Sequence, residues 1–368
     1  MLVNKIRLSN FRNFRGKIIK FSDQTTVIIG PNASGKTNIL EALFLLSTGK
    51  SFRARVEEEM IGYRYEIARV KGRMSSRDIT GVLEETQDLE VVLTRGEITI
   101  ALEKTERAPR KRLLINGIGK RLFNFAGNFK VVLFGPWDLD LVTESPSIRR
   151  NFLDSVLSQI DREYRRASLS YSKGLRQRNK LLFRIREEGI SRSQLLFWDR
   201  LLIKNGDYIT TRRSDFINFI NSTKDFPSTL NKKNIQDYSL EYDKSIISQT
   251  RLEQYKEEEV AAATTLVGPH RDDFCFFLKK KKRARDLSKF GSRGEQRMGI
   301  LWLKLAELTF IEEKTLEKPT LLLDDIFSEL DHEHREIVMD FIKGQQTIIT
   351  TADPHFVESF KKVEIISL

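Results

Sequence analysis

Two kinds of hydrophobic pattern divide this chain. One consists of short apolar, β-branched runs bounded by turn residues; the other recurs every three to four residues. Lys5-Ile6-Arg7-Leu8 alternates, and Lys17-Ile18-Ile19-Lys20-Phe21 is apolar at its centre. Thr26-Val27-Ile28-Ile29 follows a turn at Ser22-Asp23-Gln24, so residues 3–29 predict three strands. Thr37 to Leu46 carries Ile39, Leu40, Leu43, Leu45 and Leu46 without a breaker and predicts a helix. Residues 65–134 predict an antiparallel meander. Val91-Val92-Leu93, Ile98 to Leu102 and Leu113-Leu114-Ile115 are strand-like, and Arg95-Gly96-Glu97 and Asn116-Gly117 are turn signals.

The helical period takes over near Pro146. From Ile148 onward Phe152, Val156, Ile160 and Tyr164 fall at helical spacing; a second stretch runs through Leu195, Leu196, Trp198, Leu202 and Ile203 to Phe216, Ile217 and Ile220. Gly189 and Ser191 separate the two, which predicts an antiparallel helical hairpin. Strand patterning returns at Thr265–Val267 and Phe274–Leu278. Met298, Leu301, Leu305 and Leu308 then mark a helix, Thr347–Thr351 reads as a buried strand, and Asp331 is placed to cap a further helix. The expected fold class is α/β: a head formed by residues 1–147 and 261–368, and a mainly helical arm over 148–260.

Composition narrows the function. The chain has 368 residues, 40% of them hydrophobic, with no apolar run long enough to span a membrane. Its start alternates polar and apolar residues, unlike a secretory leader. The single cysteine, Cys275, has no internal partner, and its apolar neighbours predict a buried strand position. Together these features point to a reducing cytoplasm. A formal net charge of +12 points to a polyanionic partner.

The candidate chemistry begins at Gly30-Pro31-Asn32-Ala33-Ser34-Gly35-Lys36-Thr37, which fits the phosphate-cradling pattern G-x-x-x-x-G-K-[ST]. Glycines let the backbone N–H groups approach a triphosphate, and the following helix adds its positive end. In this pattern Lys36 reaches the β and γ phosphates of ATP and Thr37 coordinates Mg²⁺. A predicted strand precedes the octet and a predicted helix follows it, as the chemistry requires. Thr320-Leu321-Leu322-Leu323-Asp324-Asp325 is an apolar run ending in two acids. There Asp324 is expected to hold Mg²⁺ and Asp325 to orient the attacking water. Ser292-Arg293-Gly294-Glu295-Gln296-Arg297 opens a helix and offers a second anion site. A spare site of that kind suits a nucleotide held by another copy of the chain, and a two-fold pairing would make two composite sites. From Arg162 to Arg186 the only acid is Glu163, and Arg176, Lys180 and Arg184 share one helical stripe suited to DNA phosphates. Lys279 to Arg285 is a charge run that reads equally well as a solvated hairpin turn.

The phosphate loop, S-R-G-E-Q-R, L-L-L-D-D and Ser328-Glu329-Leu330-Asp331 occur in the order of the Walker A, signature, Walker B and D-loop motifs of ABC-type ATPases. Further segments resemble one bacterial branch, the RecF family of DNA repair proteins: Asn10-Phe11-Arg12-Asn13-Phe14, Gly49-Lys50-Ser51-Phe52-Arg53, Pro146 with Arg149 to Asp154, Trp198-Asp199, and Gly268-Pro269-His270-Arg271-Asp272-Asp273. The resemblance implies an ABC-type ATPase head with a helical arm, ATP-dependent homodimerisation, and binding of DNA at gaps or single-strand/double-strand junctions. It also implies help in loading recombinase alongside RecR and RecO type mediators. By the same resemblance Ser292, Gly294 and Glu295 would meet the partner copy's nucleotide, and Arg12 would lie on its base side. Asp325 stands where such ATPases usually have a longer Glu, and Thr351 near where a switch His is common. Both departures imply slow hydrolysis. No Q-loop glutamine is legible after Val131–Phe134. The signature and D-loop argue against a P-loop kinase, the absence of any membrane-coupling feature argues against a transporter motor, and the length of the insertion excludes a long-armed chromosome organiser. An ATPase of DNA maintenance that uses ATP mainly to dimerise is the alternative.

Overall fold

The computed structural model describes residues 2–77, 83–101, 104–223, 237–280, 283–328, 332–342, 344–353 and 363–368. The chain divides into two compact units, Met1–Asp138 with Ile311–Leu368, and Leu139–Phe310.

In the first unit the helix Lys36–Thr48 is buried on nearly every side, between two sheets. One is a six-stranded antiparallel sheet ordered Phe14–Lys20, Leu2–Phe11, Ile67–Arg77, Leu83–Thr94, Lys111–Ile115, Ile118–Lys120. Its strands alternate, with Ile6, Leu8, Val70, Leu89 and Val91 facing the core. The other is a five-stranded parallel sheet ordered Val131–Phe134, Thr320–Asp324, Thr347–Thr351, Thr25–Ile29, Glu364–Ser367. Its inner strands are buried on both faces, which is why they are unbroken apolar runs. Val131–Phe134 thus belongs to this parallel sheet and not to the expected meander. Buried Gln346 ties strands of the two sheets. Its amide donates to the carbonyls of Val3 (2.7 Å) and Ser22 (2.9 Å), and its oxygen accepts from the Val3 N–H at 2.9 Å.

The second unit holds the expected hairpin. Asp161 caps the helix Arg162–Glu188, accepting from the N–H groups of Glu163 (2.8 Å) and Tyr164 (3.0 Å). Gly189 ends it at φ 64°. The chain turns at Ser191 and returns as Leu196–Ser222. A Cβ on Gly174 would stand 2.6 Å from Leu201 Cδ2, so glycine sets how closely the helices cross. A three-stranded sheet, Tyr238–Asp243, Asp273–Lys280 and Arg283–Asp286, lies in the same unit as residues 293–310 of the helix Arg293–Thr315. The unit extends beyond 148–260 at both ends, and past residue 260 the strand Asp273–Lys280 pairs with Tyr238–Asp243. Tyr238–Asp243 is a strand inside the stretch expected to be helical, and no strand forms at Thr265–Val267. Cys275 does lie on a strand, but half-buried on its outer side. The Lys279–Arg285 run includes a hairpin pairing, Lys280 opposite Arg283, and its residues 281 and 282 lie outside the described residues.

Charged residues fasten this unit internally. Arg213 is buried, donating to Asp154 (2.8 Å), Asp272 (2.9 Å) and the Pro269 carbonyl (2.7 Å). Arg149 makes a two-pronged pair with Asp273 at 2.6 and 3.0 Å. Arg178 lies buried between Asp199 and Glu259, both at 2.7 Å. The Arg149 to Asp154, Trp198-Asp199 and Gly268 to Asp273 segments are therefore structural fasteners.

Candidate nucleotide site

The parallel strands Thr25–Ile29, Thr347–Thr351 and Thr320–Asp324 end side by side, with Thr351 opposite Ile29 and Asp324 opposite Thr350. That carboxyl edge is where open α/β sheets bind ligands. The octet leaves the first of these strands there. Gly35 has φ 108°, and a Cβ would stand 2.7 Å from the Asn13 amide nitrogen and the Phe14 ring, so only glycine fits. A Cβ on Gly30 would meet Ser34 Oγ at 2.6 Å. Ser34 Oγ is itself enclosed and has no hydrogen-bond partner among the described residues. Lys36 folds back, donating to the carbonyls of Gly30 (2.6 Å) and Pro31 (3.0 Å). These carbonyls hold the ammonium at the mouth of the cradle.

Thr37 and Asp324 meet as expected. Thr37 Oγ1 donates to Asp324 Oδ2 at 2.7 Å across 287 residues of sequence. Asp324 is 3% exposed, and its other oxygen accepts from Thr350 Oγ1. Asp325 follows in the left-handed region at φ 51°, which Asp tolerates better than most residues. Its N–H donates to the Thr350 carbonyl at 3.1 Å and to Thr350 Oγ1 at 3.2 Å. Thr351 is buried, and its hydroxyl accepts from the Asp353 N–H at 3.1 Å. A hydroxyl beside a buried carboxylate is the oxygen donor set that Mg²⁺ prefers. A glycine cradle with an enclosed free hydroxyl, a lysine at its mouth and unused helix N–H groups suits a triphosphate. The residues present fit both groups.

Arg12 does not act alone. Its guanidinium clasps fully buried Glu41 at 2.6 and 2.8 Å and reaches the Glu59 carbonyl at 2.5 Å. Glu41 also accepts from Ser51 (2.6 Å) and Arg53 (2.8 Å). Burial pushes the Glu41 carboxyl up, but Arg12, Arg53 and Ser51 outweigh it and hold the group below the usual range. Arg53 bonds Asn38, Asn38 donates to Asn13 Oδ1 at 2.6 Å, and the Asn13 amide donates to the Ser34 carbonyl at 2.9 Å. The N-terminal and Gly49–Arg53 segments are thus one network bracing the phosphate loop. Arg12, Asn13, Asn38, Tyr63 and Arg95 help line a cavity of about 530 Å³ beside it. Thr350 and Glu41 were not among the expected site residues. The only sign of Thr350 in the sequence is its place one residue before a strand end.

In the second unit Ser292 and Glu295 form a reciprocal cap: the Glu295 N–H donates to Ser292 Oγ at 3.3 Å and the Ser292 N–H to Glu295 Oε2 at 2.9 Å. Glu295 also takes two bonds from Arg285, both 2.7 Å. Ser292 and Gly294 are exposed, and a Cβ on Gly294 would meet nothing within 4 Å, so packing within the chain does not require glycine there. In the D-loop segment Glu329 to Asp331 lie outside the described residues, and with them the Asp331 cap. On the arm Arg176 and Lys180 are exposed, while Arg184 is paired with Glu188 at 2.8 Å. Among the described residues no cluster of three or more His, Cys, Asp or Glu forms a metal cage, and no helix is long and apolar enough to cross a membrane.

Comparison with known proteins agrees with this geometry. Residues 2–367 match the RecF/RecN/SMC N terminal domain model. A DNA replication and repair protein RecF of Herpetosiphon aurantiacus is 36% identical, covering 99% of this chain and 98% of that protein. The Lachnoclostridium phytofermentans protein of the same name is 35% identical over 95% of this chain and 92% of its own length. Among solved structures, that of the recombination mediator protein RecF-ATP in the RecFOR pathway superposes with a TM-score of 0.82 at 30% identity, covering 96% of this chain and 92% of that one. An Smc head domain derived from Pyrococcus furiosus shares the fold, with a TM-score of 0.53 at 17% identity over 98% of this chain and 92% of its own.

Proposed function

The chain belongs to the RecF branch of the RecF/RecN/SMC family, and on that footing we propose that this ATP-binding protein of DNA replication and repair is an ATP-dependent clamp. It dimerises on ATP at gapped or single-strand/double-strand DNA and helps load recombinase with RecR and RecO type mediators. One observation carries the nucleotide part: the hydrogen bond from Thr37 to Asp324, which joins the phosphate loop to the acid-bearing strand end.

The residues divide the work. Lys36 leaves its loop carbonyls to neutralise phosphate charge, and the loop N–H groups and Ser34 Oγ donate to phosphate oxygens. Thr37 and Asp324 would hold Mg²⁺, which would supply a Lewis acid for the phosphoryl oxygens. Asp325 orients the attacking water and accepts its hydrogen bond. Its carboxylate is one methylene shorter than Glu, and Thr351 lacks an imidazole, so turnover is slow. Ser292 and Gly294 of a second copy complete the site. The ATP-complexed RecF structure supports the ATP reading, and the open space at Gly294 supports the composite site.

Sedimentation velocity with and without ATP and a gapped duplex tests the clamp. The expected result is an ATP-dependent dimer. Ser292→Arg should bind ATP and stay monomeric; a Ser292→Arg dimer of normal strength would refute the composite site.

A further inference from the structure

We propose that Arg285 is a positioning residue for the helix end at Ser292–Glu295. It pins and neutralises the Glu295 carboxylate, so that this end can accept the phosphates of a nucleotide held by a second copy. The inference rests on the composite-site reading above and names what makes that site electrostatically workable.

One row across the three-stranded sheet carries the argument. Tyr238 stands opposite Leu278 and Leu278 opposite Arg285, so the three side chains share one face. Tyr238 and Leu278 are buried there. The two ends of the row grip the same residue. The Tyr238 hydroxyl donates to the Glu295 carbonyl at 3.1 Å, and Arg285 Nη2 donates to both Glu295 carboxylate oxygens at 2.7 Å. Burial, with the Glu295 charge adding to it, pushes the Tyr238 hydroxyl above its ordinary range, so it stays a neutral donor. Gly299, one turn on, lets the helix lie close: a Cβ there would stand 3.2 Å from Tyr238 Cε1. The buried Gln296 amide donates to the Leu287 carbonyl at 2.9 Å and fixes the same turn.

Charge explains why such a grip is needed. A helix N-terminus draws anions, and Glu295 in the first turn is itself an anion. Its Oε2 already accepts the Ser292 N–H at 2.9 Å. Left unneutralised, that carboxylate would repel the phosphates brought by a second copy. Arg285 cancels the charge from the sheet side, and Ser292 and Gly294 stay exposed. Fold stability does not account for the pair. The Arg285 side chain is 36% exposed, and ion pairs so open to water contribute little to folding. Its Nε is enclosed without a hydrogen-bond partner among the described residues, which costs stability.

Sedimentation velocity with ATP on Arg285→Gln is the test. Like charges set face to face at an interface lower association at least about tenfold per contact, and a two-fold dimer holds two such contacts. ATP-driven dimerisation should therefore weaken about a hundredfold or more, while the ATP affinity of the monomer matches that of the unaltered chain. The decisive variant adds Glu295→Gln. Glutamine caps a helix as glutamate does but carries no charge, so the double variant should dimerise more strongly than Arg285→Gln alone. A loss caused by disturbed packing would not be reversed in this way. Arg285→Lys keeps the charge and should dimerise near the strength of the unaltered chain, which guards against a folding defect in the glutamine variant. Normal dimerisation by Arg285→Gln, or a double variant no stronger than the single one, would overturn the role of Arg285. If Ser292→Arg is monomeric while Arg285→Gln dimerises normally, only that role falls. If Ser292→Arg dimerises normally as well, the composite-site reading falls with it.

Discussion

Replacing Thr350 by valine tests whether the acid at the strand end is positioned for a metal. Thr350 is fully buried, and its hydroxyl donates to Asp324 Oδ1. Valine keeps the β-branched shape that suits the strand, and the Asp325 N–H keeps its 3.1 Å bond to the Thr350 carbonyl. Only the hydroxyl is lost. A hydrogen bond to a buried charged group contributes about 1.5–3 kcal/mol, a factor of roughly ten to a hundred or slightly more. Loss of a residue that orients a metal ligand costs a similar ten- to hundredfold in metal affinity. ATP should therefore bind about ten- to hundredfold more weakly in the presence of Mg²⁺, while binding with EDTA should be unchanged. Calorimetric titration in both conditions separates the two. Equal losses in the two conditions would mean that the loop itself is damaged, and no loss in either would refute the role given to Asp324.

Other residues predict further outcomes. Asp325→Asn preserves tolerance of φ 51° and should keep ATP-driven association while turnover falls at least about a hundredfold, measured by phosphate release. His270 is pushed down to about 4, chiefly by burial, with Arg271, Arg150 and Arg178 adding to the effect. Its stabilising contribution is complete above an unfolded value near 6.5 and is lost as pH falls from there towards 4, a difference of about 3 kcal/mol. Thermal midpoints from pH 7.5 to 4.5 should drop more steeply for the unaltered chain than for His270→Gln; parallel curves would contradict this.

Much of the fold was legible because burial leaves a simple mark. Strands buried on both faces are unbroken apolar runs, and Thr26–Ile29, Thr320–Leu323 and Thr347–Thr351 stood out for that reason. The same simplicity misplaced Val131–Phe134, since such a run does not reveal which sheet takes it. Tyr238–Asp243 was hidden because six alternating residues carry little signal inside a helical stretch. Thr265 instead stays irregular, spending its N–H and hydroxyl on Asn179.

The site shows the same division. Lys36, Thr37 and Asp324 stood out in the sequence because the triphosphate and cation proposed for them demand particular residue types at close spacing. Glu41 looked like one polar residue in an apolar helix, and its partners Arg12, Ser51 and Arg53 lie on other segments.

The central claim is that the octet binds ATP through Lys36. Lys36 makes two hydrogen bonds, both to loop carbonyls, so Lys36→Ala should leave the fold intact. Isothermal titration of ATP with Mg²⁺ on the unaltered chain and on Lys36→Ala, with circular dichroism to confirm folding, is the most direct measurement. The account predicts saturable one-to-one binding by the unaltered chain and a loss of about a hundredfold or more in the variant. Near-normal affinity in a folded Lys36→Ala protein would contradict it.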